Sequence, residues 1–225
     1  MTMKATIAVL GGTGHEGRGL ALRWAKAGYP IVIGSRDGER AIAAAAEMAA
    51  SVRGASVAGA SNVAAAERAT IAVLTVPYAA QKATLESVKH ALQGKILVDV
   101  TVPLQPPRVA RVQLPPQDSA VLAGQELLGP GVKVVSAFQN VSAHLLESPG
   151  DTIDCDVLVC GDDKDARGAV IELARAAGMR GIHGGALVNS AAAEALTSVL
   201  IFINGRYKIQ SSGIRFTGIP DEPAT

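Results

Sequence analysis

The stretch Val9-Leu10-Gly11-Gly12-Thr13-Gly14-His15-Glu16-Gly17 decides the fold, because its glycines join a short apolar run directly to an amphipathic segment. The apolar run, residues 4–10, is rich in β-forming residues and predicts a parallel strand buried on both faces. Residues 14–28 carry apolar side chains among arginines and lysines and stop at a glycine, which predicts a helix with a glycine terminus. A strand, a glycine turn and a helix therefore follow one another.

The turn has the spacing G-x-G-x-x-G, which is weak evidence by itself because glycines are common in turns. Its place after the first strand and at the start of a helix strengthens it. There Gly12 can make the tight turn, Gly14 can let backbone approach a pyrophosphate, and Gly17 can let the helix pack on the strand. Free N–H groups of the helix N-terminus would face the phosphates. We therefore predict a dinucleotide site, rather than a bare glycine turn, at Gly12, Thr13, Gly14, His15, Glu16 and Gly17.

The alternation of strands and helices continues along the chain. Further strands are predicted at 31–33, 55–60, 70–76, 95–99, 132–136, 157–159 and 180–182, and further helices at 38–51, 79–92, 118–128 and 162–177. This order is typical of an α/β fold with a Rossmann-type, doubly wound, mostly parallel sheet. Five prolines between residues 102 and 118 predict an irregular surface loop.

The last part of the chain differs in composition. Residues 187–203 are alanine-rich and apolar, and predict a helix packed against protein on most sides. A length of about 17 residues, with Asn189, Ser190 and Glu194 inside it, argues against a membrane span. We expect a Rossmann domain over 1–183 and a small helical C-terminal cap over 184–225, which contributes to a second-substrate site and to a dimer interface. Residues 221–225 are expected to form a loose tail.

Composition excludes several classes of protein. A net charge of +1, with 48% hydrophobic and 18% charged residues, is typical of a soluble globular chain. A net charge this close to zero gives no overall electrostatic field that would attract nucleic acid or an anionic membrane. No transmembrane run or signal peptide is visible, so a cytoplasmic protein is expected. Cys155 and Cys160 have no histidines at ligand spacing, which favours two buried thiols over a metal site.

Ser35 and Arg36 follow the second predicted strand, 18 and 19 residues after Gly17. Sites for the unphosphorylated dinucleotide usually place Asp or Glu here, where a carboxylate accepts hydrogen bonds from the ribose. A hydroxyl and a guanidinium suit a 2′-phosphate instead, and Arg40, one helical turn on, can add charge. The alternative for Arg36 is an exposed loop arginine. The pattern favours NADP(H).

Two further segments follow strands that are predicted to end at the same edge of the sheet. They are Thr75-Val76-Pro77 and Val100-Thr101, and open α/β sheets bind ligands outside the carboxyl ends of their strands. A proline in such a loop keeps it extended beside a cofactor. The alternative is that Pro77 and Pro103, which follow these two strands, only end them.

The segment 136–144 ends another strand and is rich in hydrogen-bonding groups. Gln139 and Asn140 could hold a planar ring through their amides, with Val141 beside them on the substrate side and Ala143 on the cofactor side. The alternative is that these polar residues cap a helix. His144 has no evident partner. Since no nucleophile or metal-binding signature is present, we expect no catalytic side chain, and the chemistry is that of the cofactor.

Taken together, these motifs resemble the F420-dependent NADP reductases over nearly the whole chain. The resemblance is carried by residues 9–14, 17–23, 32–36, 72–77, 134–138 and 159–163. It implies a Rossmann domain with a small C-terminal cap, a 2′-phosphate surrounded by Thr13, Ser35, Arg36 and Arg40, the deazaflavin of coenzyme F420 stacked on the nicotinamide, and a homodimer. Gln139 stands where members often carry histidine, and Tyr78 where they carry tryptophan; both differences lie on the second-substrate side.

The first functional hypothesis is therefore hydride transfer between NADPH and F420, with small-molecule redox partners only. Reduction of a free flavin, or of a small imine or carbonyl substrate, at the same NADPH site is the enzymatic alternative. A redox sensor that binds NADP(H) without turnover is the alternative from another class.

Overall fold

The computed structural model describes residues 4–148 and 150–219 and shows one eight-stranded sheet. Its strands are β1 Ile7–Leu10, β2 Ile31–Ser35, β3 Val57–Ser61, β4 Ile71–Leu74, β5 Ile96–Asp99, β6 Lys133–Ser136, β7 Asp156–Gly161 and β8 Arg180–Gly185, in the order β3-β2-β1-β4-β5-β6-β7-β8. The helices are α1 His15–Lys26, α2 Gly38–Ser51, α3 Asn62–Arg68, α4 Tyr78–Val88, α5 Ala120–Leu128, α6 Ala143–Leu146, α7 Lys164–Ala176 and α8 Ser190–Tyr207. The predicted doubly wound α/β fold is confirmed. The predicted tail, 221–225, lies outside the described residues.

The parallel register brings the carboxyl ends of five strands to one edge. Leu10 at the end of β1 lies opposite Gly34 of β2 and Leu74 of β4. Leu74 in turn pairs with Asp99 of β5, which pairs with Ser136 of β6. Each of these residues precedes a segment that we expected to bind ligand. The topology therefore places those segments next to one another.

β7 is the exception to the parallel sheet, because it pairs with β6 in the antiparallel direction. The connection between them, residues 137–155, contains one helix of four residues. A parallel return needs a crossover that carries the chain back across the sheet. With no such crossover, the chain re-enters the sheet from the edge at which β6 ended.

Alternate strand residues divide the core into two layers. Ile7 and Val9 of β1 pack with α1, α2 and α7, and Ala8 and Leu10 pack with α3, α4 and α5. All four side chains are fully buried, as expected for a central parallel strand. In the first layer, the rings of Trp24 and Phe138 meet edge to face, with centroids 5.8 Å apart. This contact joins α1 to the loop that follows β6.

Arg23 of α1 is buried, and its guanidinium is surrounded by backbone carbonyls. It donates to the carbonyl oxygens of Leu145, Leu146, Ser148, Gly150, Asp151 and Ala177 at 2.9–3.4 Å. Burial lowers the pKa of Arg23, and the charge of Asp151 opposes that shift. A planar group with five donors can satisfy this many carbonyls, which a lysine could not. Arg23 thereby fixes the connection between α6 and β7 on the side of α1.

Helix α8 is longer than predicted and reaches Tyr207, after a single 3-10 turn over Leu187–Asn189. Within the described part of the chain, Leu187–Tyr207 has the length and composition of a membrane-crossing helix. The prediction that this helix packs against protein on most sides is wrong, because only 33% of its apolar window is buried: Ser190, Glu194 and Ser198 face protein, whereas the other face is exposed. Two short helices, α3 and α6, were not predicted. Each has seven residues or fewer, which is too short for a clear apolar period.

Candidate nucleotide and acceptor site

The turn between β1 and α1 presents unpaired backbone donors at the sheet edge. Helix α1 has no side-chain cap, and its first helical hydrogen bond is donated by the N–H of Arg18 to the carbonyl oxygen of Gly14. The N–H groups of His15, Glu16 and Gly17 therefore precede the hydrogen-bond ladder of the helix. A β-carbon on Gly14 would meet only the carbonyl oxygen of Gly11, at 3.5 Å. The site thus offers open space and free donors to a pyrophosphate.

Gly12 and Gly17 are required by close packing. A β-carbon on Gly17 would lie 2.8 Å from the α-carbon of Gly12 and 2.5 Å from Oγ1 of Thr75. A β-carbon on Gly12 would lie 2.7 Å from the carbonyl oxygen of Val9. The predicted packing role of Gly17 agrees with this geometry, whereas the left-handed φ of the turn, 79°, belongs to Gly11.

Asn62 also shapes this turn, and the sequence analysis missed it. Its side-chain oxygen accepts a hydrogen bond from the N–H of Gly11 at 3.3 Å, and it lies against Gly34. Asn62 is buried at the start of α3, after Ser61, whose hydroxyl caps that helix. The serine before an alanine-rich segment was a signal for this helix. No local pattern in the sequence indicates the contact of Asn62 with Gly11, which lies 51 residues away.

The end of β2 carries the predicted phosphate-binding groups. Ser35 is buried, and its hydroxyl oxygen accepts from the N–H of Asp37, which leaves the hydroxyl proton free to donate. Asp37 caps α2 through the N–H groups of Glu39 and Arg40. Arg36 and Arg40 are exposed, and neither makes an ion pair with the residues that the structure describes. Both guanidiniums can turn toward a bound anion.

The loops after β4 and β5 form the middle of the site. Thr75 donates its hydroxyl to the carbonyl oxygen of Leu10 at 3.0 Å, which joins β4 to the end of β1. Val76 lies against Gly11, and Pro77 immediately precedes α4. Val100 and Thr101 are buried. Because β4 and β5 lie between β1 and β6 in the sheet, these two loops separate the phosphate turn from the segment after β6.

The segment after β6 is held by α8 and β5. Nε2 of Gln139 donates to the backbone carbonyl oxygen of Asp99 at 2.8 Å. The backbone carbonyl oxygen of Gln139 accepts a hydrogen bond from the hydroxyl of Thr197, also at 2.8 Å. Asn140 donates Nδ2 to the carbonyl oxygen of Ala193 at 2.8 Å. Phe138 adopts a left-handed φ of 73°, which is costly for an aromatic residue and is found where the surroundings enforce it.

Gln139 retains one unpaired group. Its Oε1 is buried and makes no hydrogen bond to any described residue, and the same holds for Oγ of Ser136. A buried acceptor without a donor is costly unless a ligand supplies one. An amide N–H of a bound ring would supply it. Asn140, Val141 and Ala143 complete the segment, and His144 is exposed to solvent.

Two buried carboxyl groups lie behind the segment after β6, residues 137–143, which we call the acceptor segment. Asp99 accepts from Nε2 of Gln81 at 2.7 Å and from the N–H of Thr101 at 2.9 Å. Glu194 of α8 accepts from the hydroxyl of Ser119 at 2.5 Å and from the N–H of Ala120 at 2.7 Å. Glu194 therefore caps α5 from another helix, and it docks α8 onto the sheet domain.

Burial shifts the pKa values of three acids in this region. It raises the pKa of Glu194 to about 7, although hydrogen bonds from Ser119 and Ala120 oppose the shift and the charge of Asp99 adds to it. Burial also raises the pKa of Asp99, although the hydrogen bonds that Asp99 accepts from Thr101 and Gln81 lower it in part. It raises the pKa of Glu16, in the phosphate turn, to about 8. In all three acids the loss of water around the carboxyl is therefore the main cause of the shift.

The residues fit a dinucleotide with a planar ring at one end and a phosphate at the other. Backbone donors lie at the centre, two free arginines lie at one end, and a buried, unpaired amide oxygen lies at the other. Within residues 4–148 and 150–219, no group of three metal-ligating side chains is present. Cys155 and Cys160 are buried free thiols.

Comparison with known proteins identifies relatives over the whole chain. Residues 6–103 match the family described as NADP oxidoreductase, coenzyme F420-dependent. The chain is 43% identical to an F420-dependent NADP reductase of Methanothermobacter marburgensis, over 96% of this chain and 99% of that protein. It is 42% identical to an F420-dependent NADP reductase of Methanocaldococcus jannaschii, over 95% of this chain and 98% of that one.

A solved structure shows a similar fold. A hypothetical protein from Sinorhizobium meliloti matches with a TM-score of 0.66 and 26% identity, over 87% of this chain and 88% of that one. The match covers most of this chain, so the fold as a whole occurs in another protein.

The buried position of Glu194 predicts a pH-dependent stability. Its pKa rises from 4.5 to about 7 on folding, so its contribution is fully present below pH 4.5 and is lost as the pH rises through 7. The free energy of unfolding should fall by about 3 kcal/mol over that range from this group. Glu194→Gln, which resembles the neutral acid, should remove this decrease in urea unfolding measured from pH 5 to 8.

Glu126→Gln is the matched control, since Glu126 is exposed on α5. This variant should keep the wild-type decrease. An unchanged pH dependence in Glu194→Gln would show that another group causes it.

Proposed function

The chain belongs to the F420-dependent NADP reductase family, and on this premise we propose that it transfers a hydride between NADPH and the deazaflavin coenzyme F420. The protein is an NADP-dependent oxidoreductase with NADP(H) and F420 as its redox substrates. Identity above 40% over nearly the full length of relatives with that name supports the activity. The phosphate turn with two free arginines at its side supports the choice of nucleotide.

We assign the nucleotide to the carboxyl edge of the sheet. The pyrophosphate would lie over the N–H groups of the α1 turn, and the 2′-phosphate would lie among Ser35, Arg36 and Arg40. The ring end would lie beside Gln139. The residues proposed to contact NADP(H) are Gly12, Thr13, Gly14, His15, Glu16, Gly17, Ser35, Arg36, Arg40, Thr75, Val76, Pro77, Val100, Thr101 and Ala143. Those proposed to contact the second substrate are Gln139, Asn140 and Val141.

The protein would act by positioning the two rings. NADPH supplies the hydride, so no side chain needs to form a covalent bond. Holding two rings in a reactive geometry accounts for much of the acceleration in such reactions. The hydrogen bonds donated by Nε2 of Gln139 and by Nδ2 of Asn140 immobilise these side chains, and the unpaired Oε1 of Gln139 would fix the orientation of a ring. No catalytic acid or base is assigned.

We further propose that residues 1–183 form the nucleotide-binding domain and residues 184–225 the cap. Glu194, Thr197 and the carbonyl of Ala193 connect the cap to α5 and to the acceptor segment. We also propose that the protein is cytoplasmic, acts on small-molecule substrates and has no nucleic-acid or membrane partners. The burial of polar residues of α8 against protein supports it.

We also propose a homodimer formed through α8. Val188, Val199, Phe202 and Tyr207 are exposed large hydrophobic residues in or just before this helix. An apolar strip of this kind on a soluble protein marks an interaction surface. A second copy would bury the strip next to the acceptor segments of both chains.

The activity predicts loss of NADPH absorbance when purified protein, NADPH and F420 are mixed. The same assay with FMN, with riboflavin or with a cyclic imine separates the alternatives. Saturable turnover with F420 and none with the other acceptors is expected. Turnover with ordinary flavins alone would contradict the proposal, and NADPH binding without turnover on any acceptor would favour a sensor.

Arg36→Ala should weaken NADPH binding about 10- to 100-fold, because a hydrogen-bonded charge pair with the 2′-phosphate is lost. NADH has no such phosphate, so its affinity should change little. Isothermal titration with both nucleotides measures the difference. Arg53→Ala, which removes an exposed arginine after α2, is the control and should change neither affinity. Equal losses for NADPH and NADH would rule out the assigned role of Arg36.

The double variant Val199→Glu/Phe202→Glu should convert the dimer to a monomer, because two charges would be buried at the interface. Light scattering after size-exclusion chromatography gives the mass directly. Arg53→Glu changes an exposed residue outside α8, just after α2, and should leave the mass unchanged. A wild-type monomer, or a double variant that remains a dimer, would refute this interface.

A further inference from the structure

We propose that the chain after α8 positions the acceptor segment, and that the buried Asp156 holds that chain in place. Residues 209–219, which we call the C-terminal strap, have no regular secondary structure and reach from the end of α8 to β7 and β8. The inference rests on the proposed second-substrate site at residues 139–141. It makes Asp156 a positioning residue, which acts on that site through the strap and does not contact a ligand.

Asp156, the first residue of β7, is fully buried and attaches the strap to the sheet. Its backbone N–H donates to the carbonyl oxygen of Ile214 at 2.8 Å, and its carboxylate accepts from the N–H of Phe216 at 2.5 Å. Arg180 of β8 donates to the same carboxylate from Nε at 2.8 Å and from Nη2 at 2.7 Å. Nη2 of Arg180 also donates to the carbonyl oxygen of Phe216 at 2.7 Å. A buried, bidentate ion pair therefore binds the strap on both of its polar backbone groups.

The carboxyl of Asp156 is charged at neutral pH despite its burial. Burial acts to raise its pKa, but hydrogen bonds from Arg180 and Phe216, and the charges of Arg180 and Arg215, lower the pKa below its usual value. A buried carboxylate that loses its partners is strongly destabilising, because no water replaces them. The strap and the ion pair therefore stabilise each other.

The strap contacts the acceptor segment at Ser142. The hydroxyl groups of Ser142 and Ser211 form a hydrogen bond, with 3.0 Å between the oxygens. Ser142 occupies the N-cap position of α6, where a serine hydroxyl usually accepts from a backbone N–H of the helix, but here it makes no such bond. The hydroxyl of Ser142 is thus bonded to the strap in place of the helix, which fixes the end of the acceptor segment.

A second contact between the strap and the acceptor segment passes through Cys155. Its thiol donates to the carbonyl oxygen of Asn140, with Sγ 3.8 Å from that oxygen. On the strap, a β-carbon added to Gly213 would lie 2.9 Å from the same sulfur. Cys155 is therefore packed between the two segments, and displacement of the strap would remove support from behind Asn140.

The strap is also bound to α8, the helix that holds the amide side chains of the acceptor segment. The N–H of Ser212 donates to Oδ1 of Asn204 at 2.8 Å, and its hydroxyl donates to the carbonyl oxygen of Leu200 at 3.2 Å. The acceptor segment is thus held by α8 and by the strap together. Asp156 completes this arrangement, because it fixes the far end of the strap to the sheet.

Detachment of the strap should weaken binding of the second substrate and leave the nucleotide side unchanged. A flexible site must be ordered when its ligand binds, and this ordering reduces the affinity. The phosphate turn follows β1, which is separated from β7 by three strands in the sheet. A change at Asp156 should therefore affect the two substrates differently.

Asp156→Asn tests the role of the ion pair, because it removes the charge that binds Arg180. The KM for F420 should rise about tenfold, whereas the dissociation constant of NADPH should change less than about twofold. A general loss of stability would lower kcat through the fraction of folded enzyme and would not change KM. Lys133→Gln, which breaks a 2.8 Å ion pair with Asp163, is the control and should keep the wild-type KM.

Ser211→Ala gives an independent test if Asp156→Asn does not fold. It removes the hydroxyl that bonds to Ser142 and leaves the buried ion pair intact, so the KM for F420 should rise about threefold. Ser211→Thr keeps a hydroxyl at this position and should have the wild-type KM. A similar rise in Ser211→Thr would contradict the role of the hydrogen bond.

Hydrogen–deuterium exchange tests the strap without any acceptor. The N–H groups of Leu145 and Leu146 bond to the carbonyl oxygen of Ser142, so their exchange should be faster in Asp156→Asn and in Ser211→Ala. Exchange at Arg18, in the first turn of α1, should not change. Unchanged exchange at Leu145 and Leu146, an unchanged KM for F420, or equal losses of affinity for F420 and NADPH would overturn the proposal. Failure of the wild type to reduce F420 would instead refute the proposed function, and the exchange measurement would still decide whether the strap holds the segment.

Discussion

The first turn of α1 can lie on the β1 turn only because Gly12 and Gly17 have no side chains. A β-carbon on Gly17 would come within 2.8 Å of Gly12. This contact holds the helix N-terminus at the sheet edge, where its free N–H groups can meet a pyrophosphate. It also sets the direction of α1, and through Arg23 the helix then orients the chain from Leu145 to Asp151. One glycine contact thus sets the position of the α1 N-terminus and the direction of the helix.

Charge is distributed unevenly along the site. Arg36 and Arg40 are exposed after β2, whereas burial raises the pKa of Asp99 and Glu194 behind the segment that follows β6. A buried carboxyl is harder to ionise than an exposed one, because a charge is costly away from water. These two acids therefore couple the folding of this region to pH.

Helix α8 contacts the segment after β6, which is proposed to bind the second substrate. Thr197 and the carbonyl of Ala193 hold Gln139 and Asn140, while Glu194 anchors the same helix to α5. A Rossmann sheet supports many reactions because residues outside it choose the second substrate. In this chain α8 holds Gln139 and Asn140, and its exposed apolar strip is the surface proposed for the dimer. Changes in α8 would therefore affect both assembly and acceptor binding.

The sequence by itself determined the order of strands and helices, the glycine turn and the position of Ser35 and Arg36, because these depend on local patterns of apolar residues and on spacing. It also indicated the family, since several motifs occur together. Only the tertiary structure decided that Asn62 supports the turn, that β7 is antiparallel, and that Arg23 and Glu194 are buried among partners more than 70 residues away. Short helices and long-range polar contacts leave no periodic signal in the sequence, because their stability comes from partners that only the folded chain brings together.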